Sequence, residues 1–329
     1  TDLRSLALYG GIGPKTQIES LQKGLDILVS TPGRFMDLYL AGNIPVKALN
    51  TLVLDEADKM MDMGFMPQIR RILEVIPRKR QNLLFSATMP QVVVKLSEEF
   101  LEFPEVIEIS PSATPAETVS QYAYYLPNFK TKVNLLQHIL RDHENLNKVI
   151  VFVRTKKVAD NIYKYLLRST TGEIRVIHGN KGQNARVNSL NSFKDGEVRI
   201  LVSTDVAARG IDVSMVSHVI NFDVPLIYED YVHRIGRTGR AEHAGVAITF
   251  FHPAEKYHLS KIEKITGIPI QRLEIPPDVT IDKTSQEEQQ AFARSIDNQK
   301  QKDHPNFKGA FHEKKDSGRK KQRGKKRRR

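Results

Sequence analysis

Short apolar runs rich in valine, isoleucine and leucine recur along the chain. They are DILVS (26–30), TLVLD (51–55), NLLFS (82–86), KVIVFV (148–153), IRVIH (174–178), VRILVS (198–203), HVINF (218–222) and VAITFF (246–251). Their apolar positions are continuous and do not alternate, which is the pattern of strands covered on both faces of a parallel sheet. Between them lie amphipathic stretches such as Met66 to Ile76 and Lys157 to Leu167, long enough for right-handed crossovers. The pattern predicts an α/β chain. PSATPAETVS (111–120) breaks the alternation and reads as an interdomain linker. Beyond about Pro276 the apolar periodicity fades into a stretch rich in glutamine and lysine. The expected organisation is two α/β domains, 1–110 and 121–275, joined by the linker 111–120 and followed by a disordered basic tail, 276–329.

Composition narrows the picture. A chain of 329 residues that is 40% hydrophobic can bury a core in each of two domains. It has no cysteine, which excludes disulfides, thiolate chemistry and zinc-thiolate sites. No apolar run approaches a membrane span, and Thr1 opens without a signal-peptide pattern, so a soluble chain is expected. The net charge of +12 is uneven: Glu313 to Arg329 holds eleven lysines and arginines against two acids, which is +9 and leaves +3 for the rest. Such a run is ordinarily solvated and disordered, and its density favours a polyanion. If nine charges each neutralised a phosphate of a single strand, affinity would fall with log salt at a slope of about −6. The same run suits a nuclear-import signal.

YGGIGPKTQ (9–17) looks at first like a phosphate-binding loop. Matching Lys15 and Thr16 to G-x-x-x-x-G-K-[ST] puts Pro14 at the last glycine, where proline has neither the N–H nor the backbone freedom required. The only Gly-Lys pair in the sequence, Gly324-Lys325, is followed by Lys326, so the sequence holds no such loop. A turn between a strand and a helix is the expectation for residues 9–17. In parallel sheets, ligands gather at the carboxyl ends of strands. There stand Asp55-Glu56-Ala57-Asp58, Ser86-Ala87-Thr88, and Thr204-Asp205. Asp55 suits a Mg²⁺ ligand, and Glu56 suits a base for an attacking water. The alternative is that these acids merely start a helix. HRIGRTGR (233–240) packs three arginines with two glycines, poorly suited to a core and well suited to bidentate phosphate contacts. Arg237 and Arg240 would share a face if that segment is helical.

Taken in series, TPGR (31–34), DEAD (55–58), SAT (86–88), VFVRT (151–155), HGN with QNAR (178–186), STDVAARGID (203–212) and HRIGRTGR (233–240) resemble the DEAD-box ATP-dependent RNA helicases over residues 1 to about 265. HGNKGQNAR and the short basic tail are similar to the bacterial RhlE-type branch. The resemblance implies two RecA-like parallel-sheet domains, ATP and Mg²⁺ as cofactors, RNA as a partner held by its backbone without sequence preference, no membrane, and a cytoplasmic location. Ribosome-assembly or RNA-decay proteins are the partner class it implies.

By the same resemblance, Asp55 would hold Mg²⁺ through water and Glu56 would activate the hydrolytic water. Asp58, Ser86, Thr88 and His233 would couple nucleotide state and domains. Gly10, Gly11, Thr31, Arg34, Thr155, Gly179, Gln183, Arg186 and Thr204 would contact RNA. Asp212 would reach the nucleotide, and Arg237 and Arg240 would serve as arginine fingers. One departure is large: such helicases carry a glutamine motif and a phosphate-binding loop ahead of the Gly-Gly turn, and neither is in this sequence. The expectation is an N-terminally truncated chain whose first domain is incomplete, exposes an unpaired sheet edge, and on its own neither binds ATP tightly nor unwinds RNA. Two other readings stand beside it: ATP-independent RNA binding or annealing through the second domain and tail, and action on DNA.

Overall fold

The computed structural model describes residues 1–108, 119–168, 173–208, 213, 216–239 and 245–303. The chain divides into two compact units, Thr1–Ile109 and Ser110–Arg329. The expected linker falls largely outside the described residues, as does the tail from 304 onward.

In the first unit the strands are β1 (Ser5–Leu8), β2 (Ile27–Ser30), β3 (Thr51–Leu54) and β4 (Gln81–Leu84). They form two separate parallel pairs, β1 with β2 and β3 with β4. Helices Lys15–Leu21, Pro32–Leu40, Met66–Val75 and Gln91–Phe100 cover one side. Phe35, Met36 and Leu38 pack with Leu8 in one cluster; Leu54, Ile69 and Leu96 pack in the other. The continuous apolar runs predicted strands covered on both faces, and here that expectation fails. Val29 is 62% and Val53 50% exposed, because only one face of each pair meets helices. Every strand of this unit is an edge strand among the described residues.

The second unit meets the expectation. Its strands are β5 (Val119–Tyr125), β6 (Val149–Val153), β7 (Ile174–Ile177), β8 (Ile200–Thr204), β9 (His218–Asn221), β10 (Gly245–Phe251) and β11 (Gln271–Leu273). They form one parallel sheet in the order β11-β5-β10-β9-β6-β8-β7. All residues of β6 and β8 are buried. Three strands were not read from the sequence. β1 (SLAL) has no β-branched residue, β11 has three residues, and β5 mixes tyrosine with small and polar residues and begins with Val119 and Ser120, inside the expected linker.

Order also extends past residue 276, where a disordered tail was expected. Val279 is buried in the main core, and a helix runs over Gln286–Asp303. The Asp282 backbone carbonyl accepts from Asn128 Nδ2 (2.6 Å), its amide donates to Thr131 Oγ1 (3.0 Å), and its carboxylate pairs with Lys130 (2.7 Å). Phe292 stacks on His252 with ring centroids 4.1 Å apart. The polar composition that suggested disorder instead serves hydrogen bonds to distant residues. Among the described residues no helix is long and apolar enough to cross a membrane.

Candidate functional site

In the first unit, residues 9–14 connect β1 to the helix Lys15–Leu21, as the strand-to-helix reading expected. Gly11 turns the chain at φ +83°, a region that glycine enters without strain. Two side chains hold this turn. Arg34 donates from Nε to the Tyr9 carbonyl (3.1 Å) and from Nη2 to the Ile12 carbonyl (2.6 Å), and Gln17 Nε2 donates to Tyr9 (3.2 Å). Pairing of β1 with β2 sets Leu8 opposite Ser30, and the Thr31 amide donates to the Leu8 carbonyl (3.0 Å). Gly10, Gly11, Thr31 and Arg34 are therefore neighbours. Gly10, Gly11 and Thr31 are exposed, while Arg34 is half-buried and commits part of its guanidinium to the turn.

The acidic segment follows β3. Asp55 and Glu56 are exposed, and Asp55 Oδ1 accepts from the Glu56 amide (2.9 Å). Glu56 has φ +51° and ψ +47°, a left-handed conformation that costs a residue with a side chain about 1–3 kcal/mol. It is paid within a well-held corner: the Ala57 amide donates to the Phe85 carbonyl (3.1 Å), and Asp58 is buried. Asp58 Oδ2 accepts from the Thr88 amide (3.1 Å) and Thr88 Oγ1 (2.9 Å), while its own amide donates to Ser86 Oγ (3.2 Å). Ser86 Oγ donates to the Thr88 carbonyl (2.6 Å). The loops after β3 and β4 are thus one hydrogen-bonded body.

In the second unit, Thr155 caps the helix Lys156–Leu167, accepting from the Val158 amide at Oγ1 (3.2 Å). His178 is buried after β7; its Nε2 lies 3.0 Å from Asp160 Oδ1, and its Nδ1 accepts from the Asn180 amide (3.3 Å). Gly179 beside it is exposed. Gln183 Oε1 accepts from Arg186 Nη1 (3.2 Å), so this expected pair is in contact. Thr204, expected to touch a strand of RNA, is buried at the end of β8.

The arginine segment corrects the sequence reading twice. The helix there spans Tyr228–Ile235 and ends before Arg237, so Arg237 lies in the following turn and not on the helix that a shared face required. Arg240 and Asp212 lie outside the described residues. The arginines were also judged unsuited to a core, yet Arg234 is 2% exposed. It grips Asp205 through Nε (2.5 Å) and Nη2 (2.9 Å), donates from Nη1 to the Asp223 carbonyl (2.7 Å), and lies over the Phe152 ring (5.2 Å). Four elements thereby meet at one guanidinium. The signal was present in the helix spacing, since Tyr231 and Ile235 bury the face that Arg234 flanks. A small recess is lined by Phe152, Asp205, Asp230, His233, Arg234 and Arg237.

A second buried network, absent from the sequence reading, stands at the ends of β6, β9 and β10. Glu255 accepts from Lys132 (2.8 Å) and Arg154 (2.5 Å). Burial works to raise its carboxyl, and the charges of Lys132 and Arg154 outweigh it, holding the group below its usual value. Burial lowers His252 to about 4, so its ring is neutral, with Nδ1 accepting from the Ala254 amide (3.2 Å).

For a divalent cation, Asp55 offers a hard carboxylate at an exposed strand end. No cluster of three His, Cys, Asp or Glu that could hold a metal exists among the described residues. That donor set fits Mg²⁺ bound by one carboxylate with water and phosphate oxygens completing the shell. A phosphate cradle of backbone amides is not among the chain's motifs.

Comparison with known proteins agrees with this organisation. Residues 1–96 match the model for "DEAD/DEAH box helicase", and residues 131–242 match that for "Helicase conserved C-terminal domain". The chain is 42% identical to the DEAD-box ATP-dependent RNA helicase CshA of Geobacillus kaustophilus over 83% of its own length and 58% of that protein. It is 42% identical to the ATP-dependent RNA helicase DBP2 of Eremothecium gossypii over 85% of its length and 50% of that protein. The chain thus spans between half and three-fifths of these relatives. It also resembles the solved structure of S. cerevisiae Dbp5 bound to RNA and ADP BeF3, with a TM-score of 0.74 and 28% identity, covering 90% of this chain and 75% of that one.

Proposed function

Since the chain belongs to the DEAD/DEAH box helicase family, with its RecA-like fold, we propose that it acts in ATP-dependent separation or remodelling of RNA. The observation that carries the proposal is the Asp58–Thr88–Ser86 body after β3 and β4, which ties the acidic strand end to a second loop. Asp55 is the residue that would hold Mg²⁺ through water, and Glu56 is the base that takes a proton from the attacking water. The bound nucleotide supplies the phosphoanhydride to be hydrolysed. Gly10, Gly11, Thr31, Thr155, Gly179, Gln183, Arg186 and Thr204 are assigned to the RNA backbone, Arg34 to the same surface through its hold on the Gly-Gly turn, and His233, Arg237, Arg240 and Asp212 to the nucleotide side. Contacts to backbone without base readout favour sequence-independent binding. A cytoplasmic location and partners from ribosome assembly or RNA decay complete the proposal. The RhlE-type placement rests on HGNKGQNAR and the basic tail, beside relatives named CshA and DBP2.

A second reading is favoured by one observation, the lack of G-x-x-x-x-G-K-[ST] in residues 1–329. It is ATP-independent RNA binding or annealing by the second unit and the basic run. Measuring RNA affinity, strand annealing and RNA-stimulated ATP hydrolysis, for the chain and for Glu56→Gln, separates the two. Residues 1–329 by themselves, which hold no phosphate-binding loop, are expected to bind RNA without hydrolysis, and the ATP-dependent reading applies to a protein in which such a loop is also present. Hydrolysis that Glu56→Gln abolishes would favour the enzyme over the annealing reading; failure to bind RNA would defeat both.

A further inference from the structure

We propose that Lys156 is a phosphate-contacting residue on the second unit, held in place by Asn180 and given room by Gly179; the proposal rests on the RNA-binding reading above. Gly179 does not lie at positive φ, so its backbone alone does not call for glycine. A Cβ at 179 would lie 3.3 Å from both Cε and Nζ of Lys156, so the lysine tip rests against the glycine and would have to shift by a few tenths of an ångström for a larger residue. The lysine side chain crosses the glycine, and its ammonium donates to Asn180 Oδ1 (2.8 Å).

The partner's charge matters. Lys181, two residues beyond Gly179, meets the carboxylate of Asp160 at 3.1 Å, and Asp160 also holds His178. Its charge is locally compensated. Lys156 is exposed, and its one hydrogen-bond partner among the described residues is a neutral amide, so its charge is fixed in position but not cancelled. An ammonium has three N–H donors, and Asn180 takes one. Asn180 is itself positioned, because its amide donates to the buried His178 ring, whose other nitrogen meets Asp160. A held, uncompensated cation with donors to spare is a receptor for an anion. Beside Thr155 and Gly179, the anion that fits is a phosphodiester of the bound strand.

The test is fluorescence anisotropy of the full chain with labelled single-stranded RNA over a series of salt concentrations. Lys156→Gln is expected to weaken binding about fivefold at low salt and to reduce the slope of log affinity against log salt by about 0.7, the loss of one phosphate contact. Lys156→Arg should restore both. Lys181→Gln should stay within about twofold of wild type. An unchanged slope and affinity in Lys156→Gln, with wild-type RNA binding intact, overturns this proposal alone. Lack of RNA binding by the wild-type chain overturns the RNA-binding reading and this proposal with it. If Lys156→Gln instead weakens binding of labelled ADP and leaves RNA untouched, the phosphate contacted belongs to a nucleotide and the proposal fails.

Discussion

Arg234 and Asp205 meet as a two-pronged ion pair inside the second unit, Nε to Oδ1 at 2.5 Å and Nη2 to Oδ2 at 2.9 Å. They join the helix Tyr228–Ile235 to the end of β8, 29 residues apart in sequence. Lysine cannot reproduce this geometry, because an ammonium offers no planar fork.

Arg234→Ala leaves Asp205 without its partner, and breaking a buried pair from one side costs about 3–5 kcal/mol. Urea unfolding followed by tryptophan-free probes, such as tyrosine fluorescence or circular dichroism, should show the second unit's transition at lower denaturant. Arg234→Lys should recover only part of the loss. A midpoint equal to wild type for Arg234→Ala would show that the pair contributes nothing to stability.

Thr88→Val removes the hydroxyl that donates to Asp58 Oδ2 while keeping the backbone bond from the Thr88 amide. The expected destabilisation of the first unit is about 1 kcal/mol. Hydrogen exchange at Asp58 and Thr88 should quicken, since the two loops lose a shared bond. Exchange unchanged at both amides would mean the loops are held by other contacts.

His252 gives the fold a defined acid sensitivity. Its ordinary value of 6.5 is lowered to about 4 by burial, so below pH 6.5 the unfolded chain takes up a proton that the folded chain refuses. Stability from this group is complete above about pH 6.5 and is lost as pH falls toward 4. His252→Phe keeps an aromatic ring against Phe292 and does not titrate. Its melting temperature should be lower near pH 7, for want of the bond from Ala254, and should decline less steeply between pH 6.5 and 4. An equal decline in both proteins would count against His252 as the source.

Two truncations separate the ordered from the basic part of the C-terminal region. Ending the chain after Asp303 should leave the second unit's melting temperature unchanged and flatten the salt dependence of RNA binding by about 6 in slope. Ending it after Glu274 removes Val279, Asp282 and Phe292 with their contacts, and should lower melting by roughly 10 °C. Equal melting temperatures for the two would mean that residues 275–303 contribute no stability.

The strands and motif order were legible because both are local. A run such as VIVFV is apolar at every position whatever surrounds it, and DEAD, SAT and HGN carry their chemistry in the side chains themselves. The sequence by itself thus determined an α/β chain, its eight main strands, the lack of a phosphate-binding loop and the family. Only the tertiary structure decided that Arg234 lies in the core, that Arg34 holds a turn, that Asp282 closes on Asn128, and that Lys156 crosses Gly179. Each depends on groups distant in sequence: 154 residues separate Asn128 from Asp282, and 24 separate Lys156 from Asn180. A charged side chain has the same composition signature whether water or a buried partner satisfies it, and only the folded chain brings that partner within hydrogen-bonding distance.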